Sequence, residues 1–145
     1  QKQLVGVFSL DLARLYGYIY QNSKKDFTII HSLDGYDEIS LTGPFKAISN
    51  KAERLIDPSD LNLRTLSPEA LYGSDSIAGS SEIFMNILKG KGTDAQNNVV
   101  ATNSAFALQI YFDKDFKESF EMAKDSLLSG KALKAFNTLI EVSKN

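Results

Sequence analysis

Two adjacent carboxylates, Asp37 and Glu38, lie in a turn that also holds Asp34 and Gly35, just past a short apolar run from Phe27 to Ile30. The run reads as a buried strand, and the loop beyond a strand end is where sheet proteins tend to keep their chemistry. Gly35 permits a turn that brings both carboxylates toward one hard cation. Mg²⁺ suits such a pair, because it keeps several waters and is held by one or two carboxylates together with substrate phosphate oxygens. Spacing alone favours a plainer reading, in which Asp-Gly and Asp-Glu are solvated turn residues.

Other candidate groups are weaker. His31, at the end of the apolar run, could serve as a general base or phosphate donor, but a histidine satisfied by backbone is the commoner case. Asn103 interrupts an apolar helical stripe, as a substrate contact or, the favoured reading, as an amide tying the helix to a loop. The glycines at 90 and 92 lack the preceding strand and the Lys-Ser/Thr of a phosphate-binding loop, so they read as a helix stop. Ser32 has no flanking glycines and is not a nucleophile elbow. Lys24 and Lys25 read as a solvated pair.

The chain has 145 residues, long enough for one domain with a real core, and its formal net charge of -2 offers no basic field for nucleic acid or an anionic membrane. The absence of cysteine removes disulfides, thiolate metal sites and cysteine nucleophiles, and fits a cytoplasmic location. A single histidine excludes a multi-histidine zinc site within this chain. No apolar run approaches membrane-spanning length.

To place the acidic turn, the chain must supply a sheet. Leu4 to Phe8 reads as a strand, Ser9 as the N-cap of a helix with Leu12, Leu15, Tyr16 and Ile19 on one face, and Phe27 to His31 as a second strand. These form a β-α-β unit with parallel strands and a right-handed crossover. Ile39–Leu41, Phe45–Ile48 and Ala52–Ile56 then read as two or three short, partly exposed antiparallel strands, separated by Gly43-Pro44 and Asn50-Lys51. Asp57-Pro58-Ser59-Asp60 reads as a loop or short helical turn, and Ser67-Pro68-Glu69 opens a helix stopped by Gly73. Beyond Asp75 the pattern is helical. Ile83, Phe84, Ile87 and Leu88 share one face; Thr93 and Gln96 form a capping box before the stripe Val99, Asn103, Phe106 and Ile110. Asp115 and Glu118 open the next helix, with Phe116, Phe120, Ala123 and Leu127 as its stripe, and the last carries Leu133, Phe136 and Ile140.

Several blocks together carry a family resemblance. Lys2-Gln3-Leu4-Val5-Gly6-Val7-Phe8-Ser9 and the run His31-Ser32-Leu33-Asp34-Gly35-Tyr36-Asp37-Glu38-Ile39-Ser40-Leu41-Thr42-Gly43-Pro44 closely resemble blocks of the anthranilate phosphoribosyltransferase family, in the same order and spacing. Lys89-Gly90-Lys91-Gly92, Asn103-Ser104-Ala105 and Ser129-Gly130-Lys131-Ala132-Leu133 are similar to its C-terminal helices. The resemblance implies an α/β fold in which a partial mixed sheet, a β-α-β unit plus short antiparallel strands, is covered by C-terminal helices. It implies that residues 1–145 are the C-terminal part of the catalytic domain. An N-terminal helical domain and the first part of the α/β domain would lie upstream, with the family's glycine-rich pyrophosphate loop and anthranilate contacts.

The implied reaction, a step of tryptophan biosynthesis, joins anthranilate to phosphoribosyl pyrophosphate with Mg²⁺. The implied metal ligands are Asp37 and Glu38; no other site residue carries over. The complete protein is expected to be a cytoplasmic homodimer with small-molecule substrates and no nucleic-acid or membrane partner, and the isolated chain to be inactive. Alternatives are a pyrimidine nucleoside phosphorylase-like transferase, disfavoured by the helical ending through Gly130, and a non-catalytic binding module on the same scaffold. The latter should have a basic patch and lack the acidic pair.

Overall fold

The structure, a computed structural model, describes residues 1–144. Among them β1 (Lys2–Gly6), α1 (Leu10–Gln21) and β2 (Asp26–Ser32) form the expected β-α-β unit, with β1 and β2 parallel and Lys2 opposite Asp26. The first strand lies two residues earlier than Leu4–Phe8. Its register against β2 runs out at Gly6 opposite Ile30, and Phe8 is left 68% exposed on the way into the helix. Ser9 caps α1, its Oγ accepting from the Leu12 amide at 3.3 Å, and Asn22 closes the helix.

The face α1 buries differs from the expected stripe. Leu12, Ala13, Tyr16 and Tyr20 pack with Val7, Phe27 and Ile29, whereas Leu15 and Ile19 are exposed. Sequence spacing finds a helix's apolar residues, but the angle at which the helix lies on the sheet selects which of them are covered.

β3 (Phe45–Ser49) and β4 (Glu53–Ile56) extend the sheet antiparallel, giving the order β1-β2-β3-β4. Ile39–Leu41 is not a strand, although an alternating apolar run suggested one. It is a buried irregular segment, with Ile39 and Leu41 inside the core and Leu41 at φ 61°. A leucine in the left-handed region is sterically costly, and such a conformation persists where its surroundings determine it. The expected helix at Ser67 is a single 3₁₀ turn, Pro68–Leu71, whose N-cap side chain makes no capping bond; Pro58–Leu61 forms another, opened by an Asp57/Asp60 capping box.

The remaining helices are α2 (Ile77–Leu88), α3 (Asp94–Phe112), α4 (Phe116–Leu128) and α5 (Lys131–Val142). Thr93 and Gln96 make the reciprocal capping box at the start of α3, and Asp115 caps α4 through the Glu118 amide. Gly90 and Gly130 adopt positive φ at the ends of α2 and α4, the conformation a helix stop requires.

The sheet is covered on both faces. On one side α1 closes over Phe27 and Ile29; on the other, Phe106 of α3 joins Ile30, Ile39, Leu41, Phe45, Ala47 and Ile56. Burial on two faces explains why the neighbouring Ile29 and Ile30, which point to opposite sides of the sheet, are both apolar. Phe45, fully buried, meets the Phe106 ring edge-on with centroids 5.5 Å apart, an arrangement contributing about 0.5–1.5 kcal/mol beyond area burial. α5 sits outside this core, touching α2 through Phe84 and Phe136, and buries no residue completely.

Candidate functional site

The turn from Leu33 to Glu38 projects from the end of β2, and every residue in it is exposed. Its backbone is nonetheless tied down on all sides. Ser32, itself buried, donates its Oγ to the Glu38 carbonyl at 2.7 Å, while its amide donates to the Tyr36 carbonyl at 3.0 Å. Gly35, at φ 97°, turns the chain, and its amide returns to the Ser32 carbonyl at 3.0 Å.

Asp34 is the clasp of the loop. Its carboxylate accepts from Ser40 Oγ at 2.7 Å and from the Thr42 hydroxyl, joining the two ends of the loop. Burial pulls the Asp34 carboxyl upward, but the hydrogen bonds from Thr42, Ser40 and the Tyr36 backbone outweigh it and hold the group below the ordinary carboxylate range. Asp34 is therefore occupied internally.

Asp37 and Glu38 are the two carboxylates left facing solvent. Among the described residues neither forms an ion pair with a lysine or arginine. Partial burial and then the adjacent negative charge of Asp37, with a hydrogen bond to that side chain, push the Glu38 carboxyl above its usual range. Two like charges held together without a counter-ion on a fixed backbone are what a hard divalent cation relieves. No cluster of three or more metal-ligating side chains occurs among the described residues. A pair of carboxylates therefore fits a magnesium ion that takes its other ligands from water and phosphate, and does not fit an all-protein cage.

Two distant residues shape this turn. Gly6, at the end of β1, lies against Asp37 so closely that a Cβ there would sit 1.8 Å from the Asp37 carbonyl oxygen. From α3, Asn103 pairs its amide with both backbone groups of Ile39, accepting from its N–H at 2.9 Å and donating to its carbonyl at 2.8 Å. The polar break in the α3 stripe thus ties helix to loop. A glycine inside an apolar strand is itself a sign of close backbone approach, and Gly6 carried that sign in the sequence. Ser32 and the Asp34–Ser40–Thr42 clasp carried none.

His31 does not join the acidic pair. It is buried, with Nδ1 2.9 Å from the Val7 carbonyl, and joins the end of β1 to β2. Lys24 and Lys25 lie in the α1–β2 connection. The glycines at 90 and 92 lie between α2 and α3, where a Cβ on Gly92 would meet Asn97 Oδ1 at 2.6 Å.

With this geometry, the family model described as "Glycosyl transferase family, a/b domain" matches residues 1–133. The chain belongs to this glycosyl transferase family. Among curated relatives, the anthranilate phosphoribosyltransferase of Flavobacterium johnsoniae is 54% identical over 99% of this chain and 43% of its own length. That of Christiangramia forsetii is 52% identical over 100% of this chain and 44% of its own length. The chain thus spans less than half the length of these relatives.

Solved structures agree on the fold of this glycosyl transferase chain. The crystal structure of anthranilate phosphoribosyltransferase from Thermus thermophilus superposes with a TM-score of 0.86 at 20% identity, covering 97% of this chain and 42% of that one. The Saccharomyces cerevisiae enzyme in complex with PRPP and Mg gives 0.79 at 24% identity, covering 99% of this chain and 42% of that one. The expected partial mixed sheet covered by C-terminal helices is therefore the fold observed. Among the described residues no helix is long and apolar enough to cross a membrane.

Proposed function

We propose that residues 1–145 form the C-terminal part of the catalytic domain of an anthranilate phosphoribosyltransferase. The complete protein joins the anthranilate amine to the anomeric carbon of phosphoribosyl pyrophosphate and releases pyrophosphate. The observation that carries this reading is the 54% identity to the Flavobacterium johnsoniae enzyme across 99% of this chain. In this reading the complete protein is a cytoplasmic homodimer.

Within that reaction the part of this chain is electrostatic. Asp37 and Glu38 hold the magnesium ion, in keeping with a yeast neighbour described in complex with PRPP and Mg. When bound, the cation offsets negative charge on the departing pyrophosphate. Ser32, Asp34 and Gly6 keep the two carboxylates side by side, so the backbone need not reorganise when a charged ligand arrives. Substrate-gripping groups belong to the portion upstream.

The test is a continuous assay of anthranilate fluorescence with phosphoribosyl pyrophosphate and Mg²⁺. The complete protein is expected to consume anthranilate, and this chain alone to give the no-protein rate. Turnover by the chain alone would refute its assignment as a dependent part. A complete protein that ignores anthranilate but phosphorolyses a pyrimidine nucleoside would replace the proposed reaction.

A further inference from the structure

We infer that Asn103 is a further positioning residue of the acidic pair, fixing the chain immediately after Glu38 so that the two carboxylates share one direction. The inference rests on reading Asp37 and Glu38 as the metal site and names what sets their geometry. Ile39 is completely buried, yet it belongs to no strand, so its N–H and carbonyl have no ladder partner. Buried backbone groups without partners are costly, and almost all find one. Asn103, 64 positions away in sequence, supplies both, at 2.9 Å to the N–H and 2.8 Å to the carbonyl.

The amide is itself locked. Nδ2 also donates to the Val99 carbonyl one helical turn back, at 2.9 Å, so both of its hydrogens and the oxygen are engaged. The side chain therefore has one productive orientation, set by a helix that is anchored through buried Ala101, Thr102, Ala105 and Phe106. Only an amide offers a donor and an acceptor side by side at this length. A carboxylate at the same place would put a lone-pair-bearing oxygen where Nδ2 now donates to the carbonyls of Ile39 and Val99, and an apolar isostere would leave Ile39 unpaired. Because Ile39 follows Glu38 directly, slack at Ile39 passes undiluted into the pair. The Ser32 bond to the Glu38 carbonyl fixes one side of the peptide that Asn103 fixes on the other.

The experiment compares the chain with Asn103→Asp, Asn103→Leu and, as a control that perturbs the core on the other face of the sheet, away from α3 and Ile39, Phe27→Leu. Two quantities are read by NMR: the exchange rate of the Ile39 amide, and the Mn²⁺ concentration that broadens the Asp37 and Glu38 amides. Both Asn103 variants are expected to expose the Ile39 amide to exchange while Ile30 and Ala47 in the sheet stay protected. The Mn²⁺ requirement is expected to rise about tenfold or more, the usual consequence of removing a group that orients a metal ligand. Phe27→Leu is expected to lower the melting temperature with Mn²⁺ binding unchanged.

Unchanged Ile39 exchange in the Asn103 variants overturns the inference, as does an unchanged Mn²⁺ requirement in variants of a chain that binds the ion. A loss of Mn²⁺ binding in Phe27→Leu as large as in the Asn103 variants overturns it too, reducing the part played by Asn103 to general stability. If the unmodified chain shows no Mn²⁺ broadening at residues 37 and 38, the metal reading fails separately. The Ile39 exchange then still decides whether Asn103 holds the turn. Should both Asn103 variants fail to fold, Asn103→Gln keeps the amide but displaces it by one methylene, and the same two readouts apply.

Discussion

The two ends of the sheet treat charge in opposite ways. Near the start of β1 and β2 lies a cavity of about 410 Å³ whose lining includes Lys2, Asp26, Lys51, Arg54 and Asp113. Its charges largely answer one another: Lys51 pairs with Asp113 at 2.9 Å, Lys2 donates to the Tyr111 carbonyl at 2.8 Å, and Asn50 donates to Asp26 at 3.2 Å. At the far end, past β2, Asp37 and Glu38 stand exposed, with no cationic partner among the described residues, on a backbone gripped by Ser32, Asp34 and Asn103. Unanswered like charge on a rigid frame is what sets the acidic end apart.

The sharpest way to break this contrast is to neutralise the acidic end. In the complete protein, Asp37→Asn with Glu38→Gln should lower Mg²⁺-dependent turnover about a hundredfold or more, since metal charge stabilisation is worth several kcal/mol. A magnesium titration of the anthranilate rate checks it, and an unaltered magnesium dependence would remove the acidic pair from the reaction. Next in size is the frame. Gly6→Ala should destabilise the chain by about 1–3 kcal/mol, because the new Cβ meets backbone that cannot rotate away. Gly17→Ala, in mid-α1 with nothing within 4 Å of the added carbon, should instead stabilise by about 0.5–1 kcal/mol. Urea denaturation of both variants compares them directly.

Smaller effects concern protons and surface pairs. Asp34 has a folded-state pKa below its ordinary value of 3.8, so its contribution is fully present above that pH and is lost as the pH falls through the lower folded value. NMR should show Thr42 and Ser40 losing protection only in that acid window, and Asp34→Asn should remove the pH step. At the opposite end, Lys51→Ala should leave the urea midpoint unchanged within error, because exposed ion pairs are screened by water. A large shift there would mean that the paired end is built as firmly as the acidic one.

Much of the fold was legible locally. Ser9, Thr93 with Gln96, and Asp115 are capping residues whose own side chains make the bond, so residue type nearly dictates the helix start. The parallel pairing of β1 with β2 followed from the helix between them. Less legible was Ile39–Leu41, where alternation signalled a strand but the segment is buried and bonds to a helix side chain instead of a sheet. Ser67 likewise opened a helix on paper that stops after one 3₁₀ turn, lacking the capping bond. At the candidate site, Asp37 and Glu38 stood out as the strand-end pair, and Asn103 as the polar break in its stripe. The equally acidic Asp34 could not be told from them by spacing, since its occupation by Ser40 and Thr42 is a property of the folded loop.

The sequence alone determined what depends on neighbours along the chain: helix limits set by caps, glycine stops, the apolar run of β2, and the blocks that resemble the anthranilate phosphoribosyltransferase family. Tertiary structure decided what depends on meetings between distant residues. It chose which face of α1 is buried, held Leu41 in the left-handed region, spent Asp34 within the loop, and set Gly6 and Asn103 against the acidic turn. The reason is range. Caps and turns are satisfied within one turn of backbone, whereas the partner of a buried peptide group can lie anywhere the fold brings it.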